Sequence, residues 1–260
     1  MAIINVTPDS FSQDGLLEPN APCNATTIQQ LASEKARAAI QDGADILDIG
    51  GESTRPGAIP LSADQELARV IPALDAICAL PNCPPISIDT SKAEVARAAI
   101  NHGASIVNDV TALSDPAMAP LVAYTGTELV LMHNKARWGK FQDMKTLGKS
   151  YQAAHYDDVV AEVTNALNDR IAYAEQCGIN RDQITIDPGL GFGKSVDDNL
   201  ALIAGIKRLR DQTSQPILIG ASRKSFIGQI LDQPAETRLA GSLAVLAAGM
   251  IAGADIIRVH

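Results

Sequence analysis

The sequence predicts an α/β fold in which eight parallel strands and their connecting helices form a (β/α)8 TIM barrel. Two observations support this prediction. Eight short apolar runs recur along the 260 residues, and helix-length segments with amphipathic spacing separate them. Each run also ends abruptly in a polar residue, and side chains at the carboxyl ends of barrel strands face one rim. We therefore expect a single site built from the strand ends.

The predicted strands are rich in Ile, Leu and Val, which is typical of strands buried on both faces of a parallel sheet. In chain order they run from Ile3 to Asn5, Ile46 to Asp48, Ile86 to Asp89, Ile106 to Asn108, Leu129 to His133, Ile184 to Asp187, Ile217 to Ser222 and Ile256 to His260. The polar endings include aspartates, asparagines and histidines, which are residue types that bind ligands and transfer protons.

Helix candidates follow seven of the strands. They are Thr26 to Asp42, Ala63 to Leu80, Lys92 to His102, Asp115 to Tyr124, Tyr156 to Cys177, Asp197 to Arg210 and Thr237 to Ala252. The capping-box spacing of Ser62 with Gln65, and of Ser91 with Glu94, predicts that two of these helices begin there. Glycines that follow three helices are expected at their C-terminal caps. These are Gly43, Gly103 and Gly178.

The composition predicts one domain, residues 1–260, with a core built from aliphatic residues. The chain is 46% hydrophobic but only 3% aromatic, so Ala, Ile, Leu and Val must fill the core. Its net charge of −9 argues against nucleic acid or an anionic membrane surface as a partner, because both require clustered Lys and Arg. Any anionic ligand must therefore be bound locally.

Cysteine usage and hydropathy predict a cytoplasmic protein. The cysteines, at positions 23, 78, 83 and 177, lack the spacing and the neighbouring histidines of a zinc site, so reduced thiols are expected. The N-terminus has no charged region of the signal-peptide type. The longest apolar stretch, Leu239 to Ala254, contains three glycines and is shorter than a membrane span of about 18 to 20 residues.

Two loops are longer than a barrel requires, and both lie on the predicted rim. They are Thr7 to Ala25 after strand 1 and Asn134 to His155 after strand 5, and such loops commonly act as lids or substrate walls. No helix follows His260, and strand 1 begins almost at residue 1. We therefore expect a domain trimmed from a longer chain at its C-terminus, and at its N-terminus as well.

Seven motifs lie at or near the predicted strand ends. They are Asn5-Val-Thr-Pro-Asp-Ser-Phe-Ser12, Asp48-Ile-Gly-Gly-Glu-Ser-Thr-Arg-Pro-Gly57, Ile88-Asp-Thr90, Asn108-Asp-Val110, Asp187-Pro-Gly-Leu-Gly-Phe-Gly193, Ser222-Arg-Lys-Ser225 and Arg258-Val-His260. Together, in this order and over the full length, they resemble the dihydropteroate synthase family of pterin-binding enzymes. The resemblance implies condensation of p-aminobenzoate with 6-hydroxymethyl-7,8-dihydropterin diphosphate in folate synthesis, an activity that sulfonamides target.

Asp89, Asp187 and Lys224 are the candidate catalytic residues, and they are also expected to bind the pterin. The pterin edge carries a 2-amino group and N3–H, which match a carboxylate that accepts two hydrogen bonds. Asp187 is the candidate for this contact, Asp89 and Asn108 would satisfy the other ring edges, and Lys224 would donate to a ring oxygen or nitrogen. Helix N-capping is the alternative role for each aspartate. Met132 is either a pterin-stacking side chain or a core residue.

The second substrate requires an apolar slot for its ring and a cation for its carboxylate. The resemblance implies that Thr54, Arg55, Pro56, Phe192 and Ser225 form this pocket. Phe192 is also expected to contact the pterin, with core packing as its alternative role. Ser225 lies near the start of the helix after strand 7, where free N–H groups favour a carboxylate.

The segment Gly189-Leu-Gly-Phe-Gly193 is similar to a dinucleotide fingerprint, but its third glycine is one position early because residue 194 is Lys. We interpret it as a turn that lets the backbone approach a ligand closely.

The leaving group is a pyrophosphate, whose developing negative charge must be neutralised. The resemblance implies that Asn5, Arg258 and His260 bind the diphosphate and that Asn5 also binds Mg²⁺, which prefers oxygen ligands. For Arg258 the alternative is a structural ion pair. Asp14 is a second candidate near Mg²⁺, but the extra Gln13 shifts it one position from the family pattern and leaves its role open. The segment Asn134 to Phe141 also departs from the pattern, so Trp138 lines either the site or only the loop.

The expected mechanism is a dissociative substitution at the pterin methylene. As the bond to diphosphate breaks, positive charge spreads into the dihydropterin, and Asp89 and Asp187 stabilise it before the neutral amine attacks. No covalent enzyme intermediate is required. The implied partners are the two small-molecule substrates, a second copy of the chain in a homodimer, and another folate-pathway domain fused to this one.

Three alternatives remain open from the sequence. A related barrel transfers a methyl group from methyltetrahydrofolate to a corrinoid, although the motifs at Asn5 and Ser222 favour the synthase. A non-catalytic pterin-binding module is compatible with the altered loops. If the resemblance is set aside, a Schiff-base aldolase that uses Lys224 is the third.

Overall fold

The computed structural model describes residues 1–7, 15–16, 24–54, 58–135 and 153–260. Within these residues eight short strands alternate with helices, which confirms the predicted α/β class. The strands are β1 (Ala2–Asn5), β2 (Leu47–Gly50), β3 (Ile86–Asp89), β4 (Ile106–Asp109), β5 (Glu128–Met132), β6 (Ile184–Asp187), β7 (Leu218–Ile219) and β8 (Ile256–Ile257). Paired strands are parallel, as helical connections between successive strands require.

Six strands form one sheet in the order β1-β2-β3-β4-β5-β6, and β7 pairs with β8. Isolated parallel bridges join Ile186 of β6 to Ile217 and Ala2 of β1 to Val259. At the second bridge, the Ile3 N–H donates to the Val259 carbonyl at 2.8 Å. The prediction of parallel strands is confirmed, while a single closed sheet of eight strands stays a prediction. The last two strands are also shorter than predicted and end before Ser222 and His260.

The helices cover the segments between the strands. In the described residues they are α1 (Ala25–Gln41), α2 (Ala63–Cys78), α3 (Ala93–Asn101), α4 (Met118–Thr125), α5 (Val159–Gln176), α6 (Val196–Ala204), α7 (Ile206–Thr213), α8 (Ser225–Leu231) and α9 (Leu239–Ala252). The predicted start of α2 is confirmed: the Ser62 hydroxyl accepts from the Gln65 N–H at 3.2 Å, and the Gln65 side chain accepts from the Ser62 N–H at 2.9 Å. The glycines after α1, α3 and α5 have φ of 88°, 103° and 94°, as expected at C-terminal caps.

The predicted capping box at Ser91 is wrong. Helix α3 has Lys92 as its N-cap residue, without a side-chain cap. Instead, the Asp115 carboxylate accepts from the Ala93 N–H at 2.8 Å. A carboxylate 22 positions away along the chain therefore satisfies the helix start, and local spacing does not reveal such a partner.

The segment Asp197 to Arg210, predicted as one helix, forms two helices that meet at Gly205. A Cβ at Gly205 would lie 2.7 Å from Cγ2 of Val160 at the start of α5. Glycine therefore permits close packing of α5 against this junction, and glycine also weakens a continuous helix. The prediction of a single helix is wrong for this reason.

The core lies between the strands and the surrounding helices and is aliphatic, as the composition predicts. Ile4, Ile49 and Ile88, on three neighbouring strands, are fully buried. Phe226 is the one aromatic side chain in the buried core of the described residues. No helix within these residues is long and apolar enough to cross a membrane. Among the cysteines, Cys78, Cys83 and Cys177 are free thiols, and Cys23 lies outside the described residues.

Candidate active site at the carboxyl ends of the strands

The strand register brings the predicted polar side chains to one edge of the sheet. The residues paired across β1 to β4 at this edge are Asn5, Gly50, Asp89 and Asn108, and Met132 of β5 is paired with Asp187 of β6. Parallel strands all end on the same side. Five predicted site residues on five strands therefore lie on one rim, as the sequence indicates.

Arg258, directly after β8, contacts carboxylates from two other strands. Its Nε donates to Asp48 Oδ2 at 2.6 Å, and its Nη2 donates to Asp89 Oδ2 at 2.7 Å. Asn108 Nδ2 also donates to Asp48 Oδ2, at 3.3 Å. Sequence reasoning assigns no role to the fully buried Asp48, although its strand-end position was a signal. Its partner lies 210 positions away along the chain.

The charges in this cluster perturb one another. Burial raises the pKa of Asp89 to about 7, although the Arg258 guanidinium opposes the shift, and the neighbouring Asp48 carboxylate adds to it. Burial lowers the pKa of Arg258, but the carboxylates of Asp48 and Asp89 outweigh that effect and raise it above its ordinary value. Near neutral pH the rim therefore holds a permanent cation beside a carboxyl group that exchanges its proton.

Asp187 and Lys224 form the second charged pair of the rim. Asp187 is 6% exposed, and its Oδ1 accepts from the Gly189 N–H at 2.7 Å. Burial raises the pKa of Asp187, and the Lys224 ammonium opposes this shift. Burial likewise lowers the pKa of Lys224 to about 8, against the pull of Asp187. Asp187 thus offers a buried carboxyl group, which can accept hydrogen bonds from neighbouring N–H groups on one edge of a ligand.

Lys224 is fixed by the turn after β6. Its Nζ donates to the Leu190 carbonyl and lies 4.2 Å from the centroid of the Phe192 ring. A cation over an aromatic face is attracted by the ring quadrupole. Phe192 is half-buried, and the main hydrophobic core of the described residues does not include it. Its contact with Lys224 therefore favours a role at the site over core packing.

Met132 is 3% exposed, and the hydrophobic clusters of the described residues do not include it. It is paired with Asp187 across β5 and β6. Its burial fits the core alternative, and its pairing with Asp187 places it beside a residue predicted to bind the pterin, so the pterin-stacking role stays a prediction.

The turn after β7 is held by the start of α9. Arg223 has a left-handed backbone, with φ of 55°, and its N–H donates to Ser242 Oγ at 2.8 Å. Such a conformation costs about 1 kcal/mol or more in a residue with a side chain. His260 Nδ1 lies 2.9 Å from Ser222 Oγ, so the ends of β7 and β8 are also joined. The strained turn positions Lys224.

The loop after β2 begins at a buried ionic cluster. Glu52 Oε1 accepts from the Leu61 N–H at 2.6 Å, which closes the loop that carries Thr54. Glu52 Oε2 and Glu66 Oε2 each lie 2.7 Å from Lys92 Nζ. Sequence reasoning missed Glu52, because its partners lie in other helices and loops. Arg55 and Pro56, predicted in the same loop, lie outside the described residues.

Ser225 is the first residue of α8 and lines a cavity of about 220 Å³ between α6 and α8, with Ser195, Asn199 and Gln229 among the other lining residues. The prediction that Ser225 lies near the start of a helix is confirmed. The cavity opens beside Gly191 of the β6 turn. Ser225 and the β6 turn that carries Phe192 therefore border the same cavity.

Of the two residues predicted to lie near Mg²⁺, Asn5 is the one within the described residues. It is half-buried at the end of β1, and a Cβ at Gly50 would lie 3.8 Å from its Oδ1. Within the described residues, no group of three or more His, Cys, Asp or Glu side chains is placed to hold a metal. A lone amide oxygen fits an ion that takes one or two protein ligands and completes its shell with phosphate oxygens and water. Asp14 lies outside the described residues.

A family model described as pterin binding enzyme matches residues 1–260. Dihydropteroate synthase of Escherichia coli strain K12 is 42% identical over 260 residues, which cover all of this chain and 85% of that protein. A mitochondrial folate synthesis bifunctional protein of Pisum sativum is 40% identical over 272 residues, covering all of this chain and 50% of that protein. The family resemblance inferred from the seven motifs is therefore confirmed.

Solved structures give the same result. Dihydropteroate synthase of Xanthomonas albilineans with 4-aminobenzoic acid has a TM-score of 0.85 and 41% identity, covering 100% of this chain and 86% of that one. The same enzyme with 7,8-dihydropteroate has a TM-score of 0.81, 36% identity and coverage of 100% and 87%. Dihydropteroate synthase of Yersinia pestis with a sulfonamide has a TM-score of 0.87, 35% identity and coverage of 100% and 87%. The similarity thus extends over the whole chain in both sequence and fold.

Proposed function

Because the chain belongs to the pterin-binding enzyme family, we propose that it condenses p-aminobenzoate with 6-hydroxymethyl-7,8-dihydropterin diphosphate, giving 7,8-dihydropteroate and pyrophosphate in folate synthesis. One observation supports this most directly. Asp89, Asp187, Lys224 and Arg258 lie at one edge of the sheet and perturb one another's pKa values. Perturbed pKa values cluster at functional sites.

Asp187 would bind the donor edge of the pterin. Its carboxylate, when ionised, accepts two hydrogen bonds from the 2-amino group and N3–H. Asn108 and Asp89 would satisfy the remaining ring edges, Lys224 would donate to the ring carbonyl or nitrogen, and Met132 would stack on the ring. The burial of Asp187, at 6% exposure, supports this role, because hydrogen bonds to a desolvated carboxylate are strong.

The p-aminobenzoate pocket would lie between the loop after β2 and the turns after β6 and β7. Phe192 would contact the ring, and Ser225 together with the free N–H groups of α8 would bind the carboxylate. Thr54, Arg55 and Pro56 would form the opposite wall. The contact of Lys224 with Phe192 supports this arrangement, because it brings a residue proposed for the pterin and one proposed for p-aminobenzoate together.

Asn5, Arg258 and His260 would bind the diphosphate. A guanidinium has five N–H groups, so the Nε and Nη2 contacts of Arg258 with Asp48 and Asp89 leave donors for phosphate oxygens. Mg²⁺, held by Asn5 and by the substrate, would neutralise charge on the leaving group.

The reaction would be a dissociative substitution at the pterin methylene. As the C–O bond lengthens, Arg258 would stabilise the negative charge on the diphosphate, and the carboxylates of Asp89 and Asp187 would stabilise the positive charge on the pterin. The amine of p-aminobenzoate is neutral near pH 7 and would attack the methylene carbon, then lose a proton. The site thus acts mainly by orientation and electrostatics.

Residues 1–260 would form one domain, a closed barrel of eight strands. The bridges from Ile186 to Ile217 and from Ala2 to Val259 support closure, since they join the edges of the two sheets. Another folate-pathway domain can accompany this one, as the name of the bifunctional Pisum sativum relative indicates for that protein.

The protein would act as a cytoplasmic homodimer. Helix α9 contains no charged residue, and its outward side chains include Leu239 and Leu243, each 58% exposed, and Met250, 60% exposed. Exposed apolar patches of this kind are typical of protein interfaces. A second copy of the chain is the partner that we propose for this face.

The proposed reaction is tested by incubating the protein with both substrates and measuring dihydropteroate, with and without Mg²⁺ and in the presence of a sulfonamide. We expect product that depends on Mg²⁺ and that the sulfonamide suppresses in competition with p-aminobenzoate. Asp187→Ala and Lys224→Ala should abolish turnover, because each removes a group in contact with the pterin.

The matched controls are Asp211→Ala and Lys207→Ala, which alter an exposed ion pair on α7. They should leave turnover unchanged. Circular dichroism of all four variants should show native helix content. Absence of product with the unaltered protein, or near-normal turnover by Asp187→Ala, would contradict the proposal.

A further inference from the structure

Lys194 is buried beside the candidate site, and the proposed mechanism does not use it. It is 6% exposed. Burying an ammonium is unfavourable unless hydrogen bonds and opposite charges compensate for the lost hydration. A lysine in this position therefore requires a physical reason.

The Lys194 ammonium contacts backbone on both sides of the turn after β6. Its Nζ donates to the carbonyls of Gly189 at 2.9 Å and Phe192 at 3.1 Å, and it approaches the His133 carbonyl at 3.5 Å. His133 Nδ1 lies 3.1 Å away. Burial, with the neighbouring Lys194, lowers the pKa of His133 to about 3, so this imidazole is neutral and accepts.

The turn that Lys194 holds would otherwise be loosely constrained. Gly189, Gly191 and Gly193 all have positive φ, between 64° and 82°, in a conformation that glycine adopts and leaves at little cost. The Asn199 side chain adds one further constraint, since its Oδ1 accepts from the Gly191 N–H at 2.6 Å. The hydrogen bonds of Lys194 and Asn199 together constrain the turn.

The outer side of the same turn touches the residues assigned to the substrates. Its Leu190 carbonyl accepts from Lys224 Nζ, and its Phe192 ring lies 4.2 Å from that Nζ. A Cβ at Gly191 would lie 2.9 Å from Lys224 Cδ, so the turn and the Lys224 side chain are in direct contact. A displacement of the turn would therefore displace both Phe192 and Lys224.

We infer that Lys194 is a positioning residue for p-aminobenzoate: its side chain fastens the β6 turn to the end of β5, and so holds Phe192 in the geometry that binds this substrate and Lys224 in the geometry that binds the pterin. This inference rests on the proposed reaction. Burial lowers the pKa of Lys194 to about 7, and in its protonated form Lys194 also favours the ionised form of Asp187.

The cavity between α6 and α8 makes this role testable by chemical rescue. Lys194 is one of its lining residues, so Lys194→Ala opens a path from a space of about 220 Å³ to the position of the missing ammonium. Ethylammonium is small enough to enter and restores a cation with three donors. A residue that serves only stability would respond to such an ion in thermal denaturation and not in substrate affinity.

The experiment measures KM for each substrate and kcat for the unaltered protein, Lys194→Ala and the exposed control Lys207→Ala, with and without ethylammonium. For Lys194→Ala we expect KM for p-aminobenzoate to rise at least tenfold, a smaller rise in KM for the pterin diphosphate, and partial recovery with ethylammonium. Lys207→Ala should match the unaltered protein and should not respond to the ion. If Lys194→Ala does not fold, Lys194→Met, which keeps the aliphatic stem, supplies the KM comparison alone.

A KM for p-aminobenzoate within twofold of the unaltered protein would overturn the inference, as would a raised KM that ethylammonium leaves unchanged. Lack of product with the unaltered protein would instead contradict the proposed reaction, so the two failures are distinguishable.

Discussion

At the scale of single residues, Asp48 shows how the site depends on buried charge. Its carboxylate is fully buried and accepts hydrogen bonds from Arg258 and Asn108. Removing one partner of a buried ion pair costs about 3 to 5 kcal/mol when the other charge is left uncompensated, and here Asp89 remains as a second partner of Arg258, which favours the lower end of that range. We expect Asp48→Asn to lower the free energy of unfolding by about 3 kcal/mol, as measured by urea denaturation.

The control is Asp45→Asn, an exposed aspartate just before the same strand, which should unfold like the unaltered protein. Equal stability of the two variants would show that Asp48 does not anchor Arg258.

The lowered pKa of Lys224 predicts an alkaline limit to activity. Because the pKa is about 8, the ammonium is present below this pH and is lost above it. We expect kcat/KM to fall about tenfold per pH unit above pH 8, since the neutral amine is a weaker hydrogen-bond donor to the pterin than the ammonium. In Lys224→Arg, whose guanidinium stays protonated, the residual activity should lack this limit. If the decline near pH 8 persisted in Lys224→Arg, a group other than Lys224 would be responsible for it.

Residue identity at the strand ends was predictable, whereas the partners of those residues were not. Asp89, Asn108 and Asp187 follow apolar runs, and a parallel sheet brings such ends together. The contact between Asp48 and Arg258 depends instead on which strands become neighbours across the rim. Nothing within a few positions of either residue carries that information.

At the scale of elements, the loop after β2 is held by a charged side chain at its base, Glu52. Glu52 accepts from the Leu61 N–H and pairs with Lys92, and a charged hydrogen bond contributes about 1.5 to 3 kcal/mol. We expect Glu52→Gln to raise KM for p-aminobenzoate about tenfold, because the loop that carries Thr54 would loosen. Steady-state kinetics with each substrate varied in turn would measure this.

Glu94→Gln, on the exposed face of the neighbouring helix α3, is the matched control and should leave both KM values unchanged. If Glu52→Gln raised KM equally for both substrates, the substitution would have disturbed the structure in general and not this loop alone.

The junction of α6 and α7 shows why element boundaries were less predictable than element types. The apolar spacing of residues 197 to 210 fits one helix, but close packing against α5 requires glycine at the break. We expect Gly205→Ala to destabilise the protein by about 1 to 3 kcal/mol, because its Cβ would lie within 3 Å of the Val160 methyl groups. Thermal denaturation would detect this loss. Unchanged stability would mean that Val160 yields without cost.

At the scale of the whole molecule, the site depends on contacts between the first strands and the residues that follow β8. The Ile3 N–H donates to the Val259 carbonyl at 2.8 Å, and Arg258 reaches β2 and β3 from the end of β8. The proposed diphosphate and pterin positions therefore depend on contacts between residues more than 160 positions apart. Such contacts follow from the predicted topology, although their geometry does not.

The outer face of α9 bears on whether two copies of the molecule associate. Leu239, Leu243 and Met250 are spaced so that they share one side of the helix, and each is more than half exposed. Burial of a leucine side chain contributes about 1.5 to 3 kcal/mol, so pairing this face with a second copy would stabilise a dimer considerably. We expect sedimentation equilibrium at micromolar concentration to give twice the mass of one chain, and Leu243→Lys to shift it towards one chain while circular dichroism stays native. Tyr124→Lys, at an 88% exposed position on α4, is the control and should leave the mass unchanged. A single-chain mass for the unaltered protein would contradict the proposed homodimer.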